Sequence, residues 1–410
     1  MNSTLPAHTV GIKMFPLKNL TCLLPKKMDK RVLKFFPATL LGVACAVLPL
    51  TSYAQQPQPL ASQVVDGYAE HIFYNSGAAA MAMVAIDNNQ QVFRSFGETR
   101  PGNDTRPRKD SLIRIASLTK LMTSEVLVKL ADERKVSLYD PLRKYAPSGM
   151  RVPSYTANQP IVLMNLASHT SGLPREQPGG VAHRDVFTWP TKYDRWQWMK
   201  SAKVAVPPGV RASYSNLAFD LLADALAQAT GKAYPSLLKE KVTLPLGMKD
   251  TTYTPSPEQC SRMIVPARGA SPCQSSLAAI GSGGVYSTPE DMQRWMQQFL
   301  SSSTHPRSPY ADKLLKMYYQ REKLTLVKGM DVPGKASALG LGWVYMAPQN
   351  GLPGIMQKTG GGGGFITYMA MIPDKNVGVF AVVARTELTK FTNMSDGVNQ
   401  LVSELAQQQQ

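Results

Sequence analysis

Phe365-Ile366-Thr367-Tyr368-Met369-Ala370-Met371-Ile372, then Pro373-Asp374-Lys375-Asn376, then Val377-Gly378-Val379-Phe380-Ala381-Val382-Val383-Ala384 decides how this chain is read. Two apolar runs rich in β-branched and aromatic residues, separated by a turn-forming tetrapeptide, make a β-hairpin. A second hairpin stands almost three hundred residues earlier, between Gly77 and Gly97. There Met81 to Ile86 is one strand, Asp87-Asn88-Asn89 the turn, and Gln91 to Phe96 the alternating return strand. Between the hairpins the periodicity is helical. Leu118 to Lys135 carries apolar residues at 118, 121, 122, 126, 127 and 130, Ile161 to Ser168 is a short apolar helix, and Leu217 to Thr230 is a long one stopped by Gly231. Thr288-Pro289-Glu290-Asp291 reads as a cap, a first-turn proline and first-turn acids. A stripe at Met394, Val398, Leu401, Val402 and Leu405 makes a last helix. Strands at both ends with helices between predict an α/β (α+β) fold, in which both chain ends supply one antiparallel sheet flanked by helices around an inserted, mainly helical domain.

The first 54 residues stand apart. Lys30, Arg31 and Lys34 precede the apolar run Phe35 to Leu50, and Ser52-Tyr53-Ala54 closes it as a small-x-small cleavage site. Residues 1–54 therefore read as a signal peptide with an upstream extension, translation starting at Met1 or Met28 and cleavage falling after Ala54. The run is short for a spanning helix and contains Pro37 and Pro49. A polar linker (Gln55 to Gln63) follows. The remaining domains divide as 62–118 (first part of the α/β domain), 119–339 (helical insert) and 340–406 (second part of the α/β domain).

Export changes the meaning of the cysteines. Cys22 and Cys45 leave with the leader, and Cys260 and Cys273 remain, close in sequence and in an oxidising compartment. That argues for a disulfide rather than a metal site. The five histidines show no ligand spacing, so neither a metal nor a cofactor is expected. The formal charge of +17 falls to +11 once seven Lys/Arg and one Asp of the leader are removed. Without arginine-rich blocks or aromatic-basic interleaving, nucleic acid is not the expected partner. A basic exported surface is compatible with peripheral attachment to anionic lipid headgroups or cell-wall polymer, and equally with simple solubility.

Three short motifs carry chemistry. Ser117-Leu118-Thr119-Lys120 pairs a hydroxyl with an amine three residues on, on one helical face, and places Ser117 at a helix start where its own N–H is free for an oxyanion. Alone it means little, because Ser236-Leu237-Leu238-Lys239 has the same pattern. Tyr214-Ser215-Asn216 immediately precedes the Leu217 helix. A tyrosine beside a lysine ammonium is a candidate base, and an asparagine amide can hold a carbonyl or orient the lysine. Lys358-Thr359-Gly360-Gly361 runs through a glycine stretch into the Phe365 strand. A cation, a hydroxyl and bare backbone suit a substrate that binds as an added strand with a terminal carboxylate. As a phosphate loop this stretch fails, because a strand follows rather than a helix. Ser236 fails this ordering because Tyr214 lies before it; it follows Pro235, opens an ordinary helix and reads as structural.

The order Ser-x-x-Lys, Tyr-x-Asn, Lys-Thr-Gly resembles the serine penicillin-recognising enzymes, specifically their class C β-lactamase-like branch. The resemblance runs from about Val64 to Leu405. It includes His169-Thr170-Ser171-Gly172-Leu173-Pro174 and Pro245-Leu246-Gly247-Met248, and it leans toward the D-alanyl-D-alanine carboxypeptidase/endopeptidases through the Arg114 to Lys120 and Pro174 to Gly180 segments and the paired Cys260 and Cys273. It implies a β-lactamase/DD-peptidase-like fold and a periplasmic serine hydrolase acting on peptidoglycan muropeptides through an acyl-enzyme, with β-lactams as covalent acylating ligands. Ser117 would be the nucleophile, Lys120 and Tyr214 would share the proton, Asn216 would meet the acyl-side amide, and Lys358 and Thr359 would hold the carboxylate. The N–H groups of Ser117 and Gly361 would form the oxyanion hole. Class C lactamases usually carry serine where Gly361 stands, which speaks against efficient β-lactam hydrolysis. A true β-lactamase, an esterase on the same scaffold, and a penicillin-binding sensor without turnover are the competing readings. The loops from Glu176 to Asp194 and from Cys260 to Gln274 are expected to shape the groove.

Overall fold

In the computed structural model, which describes residues 60–179 and 185–408, the two hairpins lie side by side in one sheet. The principal elements, in chain order, begin with helix α1 (Leu60–Ser76) and strands β1 (Ala80–Asp87) and β2 (Gln90–Gly97). Helices α2 (Thr119–Asp132), α3 (Lys192–Met199), α4 (Asn216–Thr230) and α5 (Pro289–Gln297) follow. The chain then returns to strands β3 (Met317–Gln320), β4 (Ala338–Gly340), β5 (Val344–Met346), β6 (Ile355–Gly362), β7 (Phe365–Ile372) and β8 (Val377–Ala384), and ends in helix α6 (Phe391–Gln407). The sheet order is β2-β1-β8-β7-β6-β5-β4-β3, antiparallel throughout. The expected closure by the chain ends is the pairing of β1 with β8, from Ala80↔Ala384 to Asp87↔Val377.

Every residue of β8 is buried because both faces of the sheet are covered. Phe380 and Val382 join Val84 and Met369 in a core shared with the central helices. Val379, Ala381 and Val383 join Met83 and Tyr368 in a second core under α1 and α6. Successive side chains leave opposite faces of a strand, so a strand covered on both sides has to be apolar at every position. Burying each Val or Phe contributes about 1.5–3 kcal/mol.

Several boundaries differ from the sequence reading. The linker assigned up to Gln63 turns helical at Leu60, because Ala61, Val65, Ala69 and Ile72 form a stripe that packs on the Met394, Val398 and Leu401 stripe of α6. The helix expected from Leu118 to Lys135 is a 3₁₀ turn at Ala116–Leu118 continued by α2, which stops three residues early before a left-handed Arg134. The short helix at Ile161 to Ser168 narrows to Leu163–Ala167. Other signals held: Gly231 ends α4 with φ +65°, and the Thr288 hydroxyl caps α5 by accepting from Asp291 N at 3.2 Å. Cys260 and Cys273 form the expected disulfide, 13 positions apart. The signal peptide, its cleavage site, Cys22 and Cys45 lie outside the described residues.

The described residues belong to one compact unit. Within it we propose the division into 62–118 with 340–406 and an insert at 119–339, the insert lending β3 and most of β4 to the far edge of the sheet.

Candidate active site

Ser117 sits where three elements meet. Ile113–Arg114 pairs with Tyr286–Ser287, and the Ile115 carbonyl accepts the Thr367 hydroxyl of β7 at 3.0 Å. The chain then turns through Ala116 at φ +48°, a left-handed conformation that costs a non-glycine residue on the order of 1 kcal/mol. That kink, invisible in the sequence, sends Ser117 out of the strand and into the 3₁₀ turn ahead of α2.

One turn along, Lys120 is completely buried. Its Nζ donates to Ser117 Oγ at 3.1 Å, to Asn216 Oδ1 at 2.7 Å and to the Ser282 carbonyl at 2.6 Å. Burial disfavours the ammonium and brings it down to about 7, against the opposing pull of Asp220 and Glu176. Neutral amine is therefore well populated near neutrality.

Tyr214 approaches Ser117 from the other side, its hydroxyl donating to Ser117 Oγ at 2.6 Å. Its ring centre is 4.8 Å from Lys120 Nζ, 4.9 Å from Lys358 Nζ and 4.8 Å from the Arg175 guanidinium carbon. Three basic side chains thus surround one phenol. Its backbone is fixed by N–H donation to Lys328 O at 3.1 Å. Gly329 lets that strand come close, since a Cβ there would sit 2.9 Å from Tyr214 Cβ.

The loop carrying the tyrosine is held by His169, which stacks on the Tyr214 ring with centroids 4.4 Å apart and accepts the Ser215 N–H on Nδ1 at 3.0 Å. Burial, with Lys358 and Lys120 nearby, keeps this histidine well below its ordinary pKa and so neutral, as an acceptor must be. Ser215 caps α4 by accepting Ala218 N at 3.0 Å and donates to Pro174 O at 2.7 Å. Asn216, first in α4, presents its carbonyl to Lys120 and its amide to Glu176. The His169 to Pro174 stretch, read only as a family signature, is thus a clamp on the tyrosine loop.

The third motif lies on β6. Lys358 is buried, and burial lowers it to about 8. Gly360 faces the Ser117 turn so closely that a Cβ would be 2.8 Å from Ile115 O and 3.1 Å from Ser117 N. Gly361 is exposed, with nothing nearer its absent Cβ than Phe365 O at 4.0 Å. On one side β6 pairs with β7 from Met356 to Gly362; on the other, β5 reaches only Ile355 to Gln357. Among the described residues no strand pairs with the second edge from Lys358 to Gly362, so that backbone is open to an added strand.

All eight residues singled out from the three motifs fall within this one region. Ser236 and Lys239 do not: both are exposed, with Ser236 inside the short helix Tyr234–Leu238 rather than at its start. The sequence reading missed Ser282, which offers only a backbone carbonyl, and Asp220, a buried acid within the apolar run of α4 four residues after Asn216. An acid in such a run was a usable signal. Glu176, expected only as part of a groove-shaping loop, accepts the Asn216 amide.

The geometry is that of a nucleophilic hydroxyl between a desolvated amine and a phenol, beside an open strand edge. Residues 62–402 match the family model "Beta-lactamase". The chain is 66% identical over 368 residues to the D-alanyl-D-alanine-carboxypeptidase/endopeptidase AmpH of Escherichia coli K12, covering 89% of this chain and 95% of that protein. It is 24% identical to a β-lactamase of Pseudomonas fluorescens over 77% of this chain and 91% of that one. A solved structure, a β-lactamase/D-alanine carboxypeptidase from Yersinia pestis complexed with citrate, superimposes with a TM-score of 0.83 at 69% identity, covering 84% of this chain and 98% of that chain.

Proposed function

The chain belongs to the β-lactamase family, and we propose that within it the protein is a serine D-alanyl-D-alanine carboxypeptidase and DD-endopeptidase acting on peptidoglycan peptides. The observation that carries this reading is the pair of hydrogen bonds converging on Ser117 Oγ, from Tyr214 at 2.6 Å and Lys120 at 3.1 Å, beside an unpaired strand edge.

The substrate peptide adds to the free edge of β6 from Lys358 to Gly361. Its terminal carboxylate is received by the Lys358 charge and the Thr359 hydroxyl, and the acyl-side amide meets Asn216. Ser117 Oγ attacks the carbonyl of the D-Ala–D-Ala bond or cross-link, its proton passing into the Lys120–Tyr214 pair. The oxyanion lies between the N–H groups of Ser117 and Gly361. The same pair returns the proton to the leaving amine as the C–N bond breaks. Water then attacks the ester, and its proton takes the same route back to Ser117 Oγ. Because burial lowers Lys120 to about 7, its neutral amine can donate to Asn216 Oδ1 and the Ser282 carbonyl while its lone pair takes the Ser117 proton, and the ammonium so formed makes all three hydrogen bonds.

Penicillins are expected to acylate Ser117, and their turnover to be slow, because Gly361 carries no side-chain hydroxyl. We place the protein in the periplasm, on the leader-like first 54 residues and the Cys260–Cys273 bond. Among the described residues no helix is long and apolar enough to cross a membrane. Peripheral attachment through the basic surface belongs to the same proposal.

The test is to incubate the protein and a Ser117→Ala variant with cross-linked muropeptides and, separately, with a labelled penicillin, and to identify products by mass. Loss of terminal D-Ala and splitting of cross-bridges, both abolished in the variant, are expected. Untouched muropeptides with rapid penicillin opening would instead identify a β-lactamase, and a labelled Ser117→Ala variant would remove Ser117 as nucleophile.

A further inference from the structure

Lys120 is held by a backbone carbonyl, and that carbonyl is itself held. Ser282 O accepts Lys120 Nζ at 2.6 Å. The Gly281–Ser282 segment has no regular secondary structure of its own, and one buried side chain fixes it. Asp220 Oδ1 accepts both Gly281 N and Ser282 N at 2.9 Å, and Oδ2 accepts Ser282 Oγ at 3.1 Å. Gly281 has to be glycine for this, because a Cβ would fall 2.0 Å from Phe219 O. The Thr123 hydroxyl of α2 also donates to Gly281 O at 2.8 Å. Asp220 lies one turn after Asn216 on α4, so a single helix supplies both the amide on one side of the amine and the carboxylate behind the carbonyl on the other.

We infer that Asp220 is a positioning residue for the acyl-transfer reaction: it fixes the Ser282 carbonyl that aims Lys120 at Ser117, and its carboxylate charge tunes the amine. The inference rests on the proposed role of Lys120 as proton carrier. An aspartate that only held a loop would serve equally well uncharged, so the charge is the part to be tested.

The groups facing Asp220 are Lys120 from α2, Arg195 from α3, and Tyr234 and Tyr253 from the neighbouring segments. Arg195 is committed to Asp224, through Nε at 2.7 Å and Nη2 at 3.0 Å. The remaining cation, Lys120, therefore responds most directly to a change at Asp220. Burial raises the Asp220 carboxyl to about 6 and lowers the Lys120 amine to about 7, so the two titrate as a pair around neutrality. The carboxylate favours the ammonium; removing its charge makes Lys120 lose its proton at lower pH.

Asp220→Asn keeps the shape. Its carbonyl oxygen can accept both N–H groups, and its amide can donate to Ser282 Oγ, which accepts as readily as it donates. The experiment follows the rate of Ser117 acylation by a fluorescent penicillin from pH 5 to 9, with melting temperature measured alongside, for wild type, Asp220→Asn and Asp220→Ala. Asp220→Asn is expected to fold normally and to shift the pH midpoint associated with Lys120 acidward by on the order of one unit. Asp220→Ala leaves two buried N–H groups without acceptors, freeing the loop. It is expected to lower the maximal acylation rate by about tenfold or more with little change in the concentration dependence. A profile for Asp220→Asn superimposable on wild type overturns the inference, as does an Asp220→Ala variant that acylates at the wild-type maximal rate. A wild-type chain that takes no label at Ser117 overturns this inference together with the functional reading; a labelled wild type with an unshifted Asp220→Asn profile overturns this inference alone.

Discussion

Adding one methyl group at Gly360 should separate the two halves of the site. A Cβ built there lies 2.2 Å from Thr367 Oγ1, 2.8 Å from the Ile115 carbonyl oxygen and 3.1 Å from Ser117 N, whereas ordinary contacts begin at 3.4 Å. Thr367 could rotate away, but its hydroxyl would then lose the 3.0 Å bond that pins Ile115 O. The Ile115 carbonyl is backbone, held between β7 and the Ala116 kink, so roughly 0.6 Å of movement has to come from β6 or from the Ser117 turn itself. Misplacement on the scale of 1 Å costs about a hundredfold in rate, and overpacking of a buried strand costs about 1–3 kcal/mol. Gly360→Ala is therefore expected to acylate with labelled penicillin about a hundred times more slowly than wild type and to melt several degrees lower. Gly361→Ala is the control: its methyl group enters open space, so its melting temperature should match wild type. Thr367→Ala added to Gly360→Ala removes the 2.2 Å overlap and leaves the 2.8 Å one, and should restore only part of the rate. If Gly360→Ala acylates within about threefold of wild type without loss of melting temperature, the close seating of β6 on the Ser117 turn is not what holds the site together.

Other outcomes follow from the same structure. Lys120→Ala should slow acylation by about a hundredfold or more, because among the described residues no other amine is hydrogen-bonded to Ser117 Oγ; stopped-flow labelling measures it. The folded values of about 7 for Lys120 and about 8 for Lys358 lie below the lysine value of 10.5. Between these limits the unfolded chain binds more protons than the folded one, so the cost of burying the amines falls as pH rises from 7 toward 10. The melting temperature of Lys358→Met relative to wild type should accordingly drop across that range, and a pH-independent difference would show that Lys358 is not desolvated as described. Reducing Cys260–Cys273 releases a loop of 13 positions and should cost about 3 kcal/mol of stability, seen as a lower melting temperature with dithiothreitol and no further loss in a Cys260→Ser variant.

The sheet was legible because burial on both faces forces continuous apolar runs, and 377–384 has nothing else in it. The last helix was equally plain from its stripe, whereas α1 was not, its stripe being diluted by Asp66, Glu70 and His71 on the solvent side. The motif residues could be found because each is a side chain with chemistry of its own. What holds them could not: the Ser282 carbonyl and the left-handed Ala116 work through backbone geometry that residue type does not encode, and the His169 ring acts through contacts with Tyr214 and Ser215 more than forty positions away. Ser236 and Lys239 make the same point from the other direction. They share the Ser-x-x-Lys spacing, yet both are exposed, and Ser236 lies inside a short helix away from Tyr214 and Lys358.

The closure of the sheet by its two ends also sets a clock. The Thr386 hydroxyl meets the Gly77 carbonyl across 309 positions, and β1 finds its inner partner only in β8. Ser117 and Lys120 are synthesised early, Tyr214 and Asn216 midway, and the strand from Lys358 to Gly361 near the end. That strand keeps its register through β7, which leans on β8, which waits for β1. Contacts of such long range form late and together. A nascent or truncated chain that stops short of Val377 has a serine, a lysine and a tyrosine but lacks the strand that pairs with both β1 and β7, so it is expected neither to cut a peptide nor to trap a β-lactam. Activity arrives with completion of the chain.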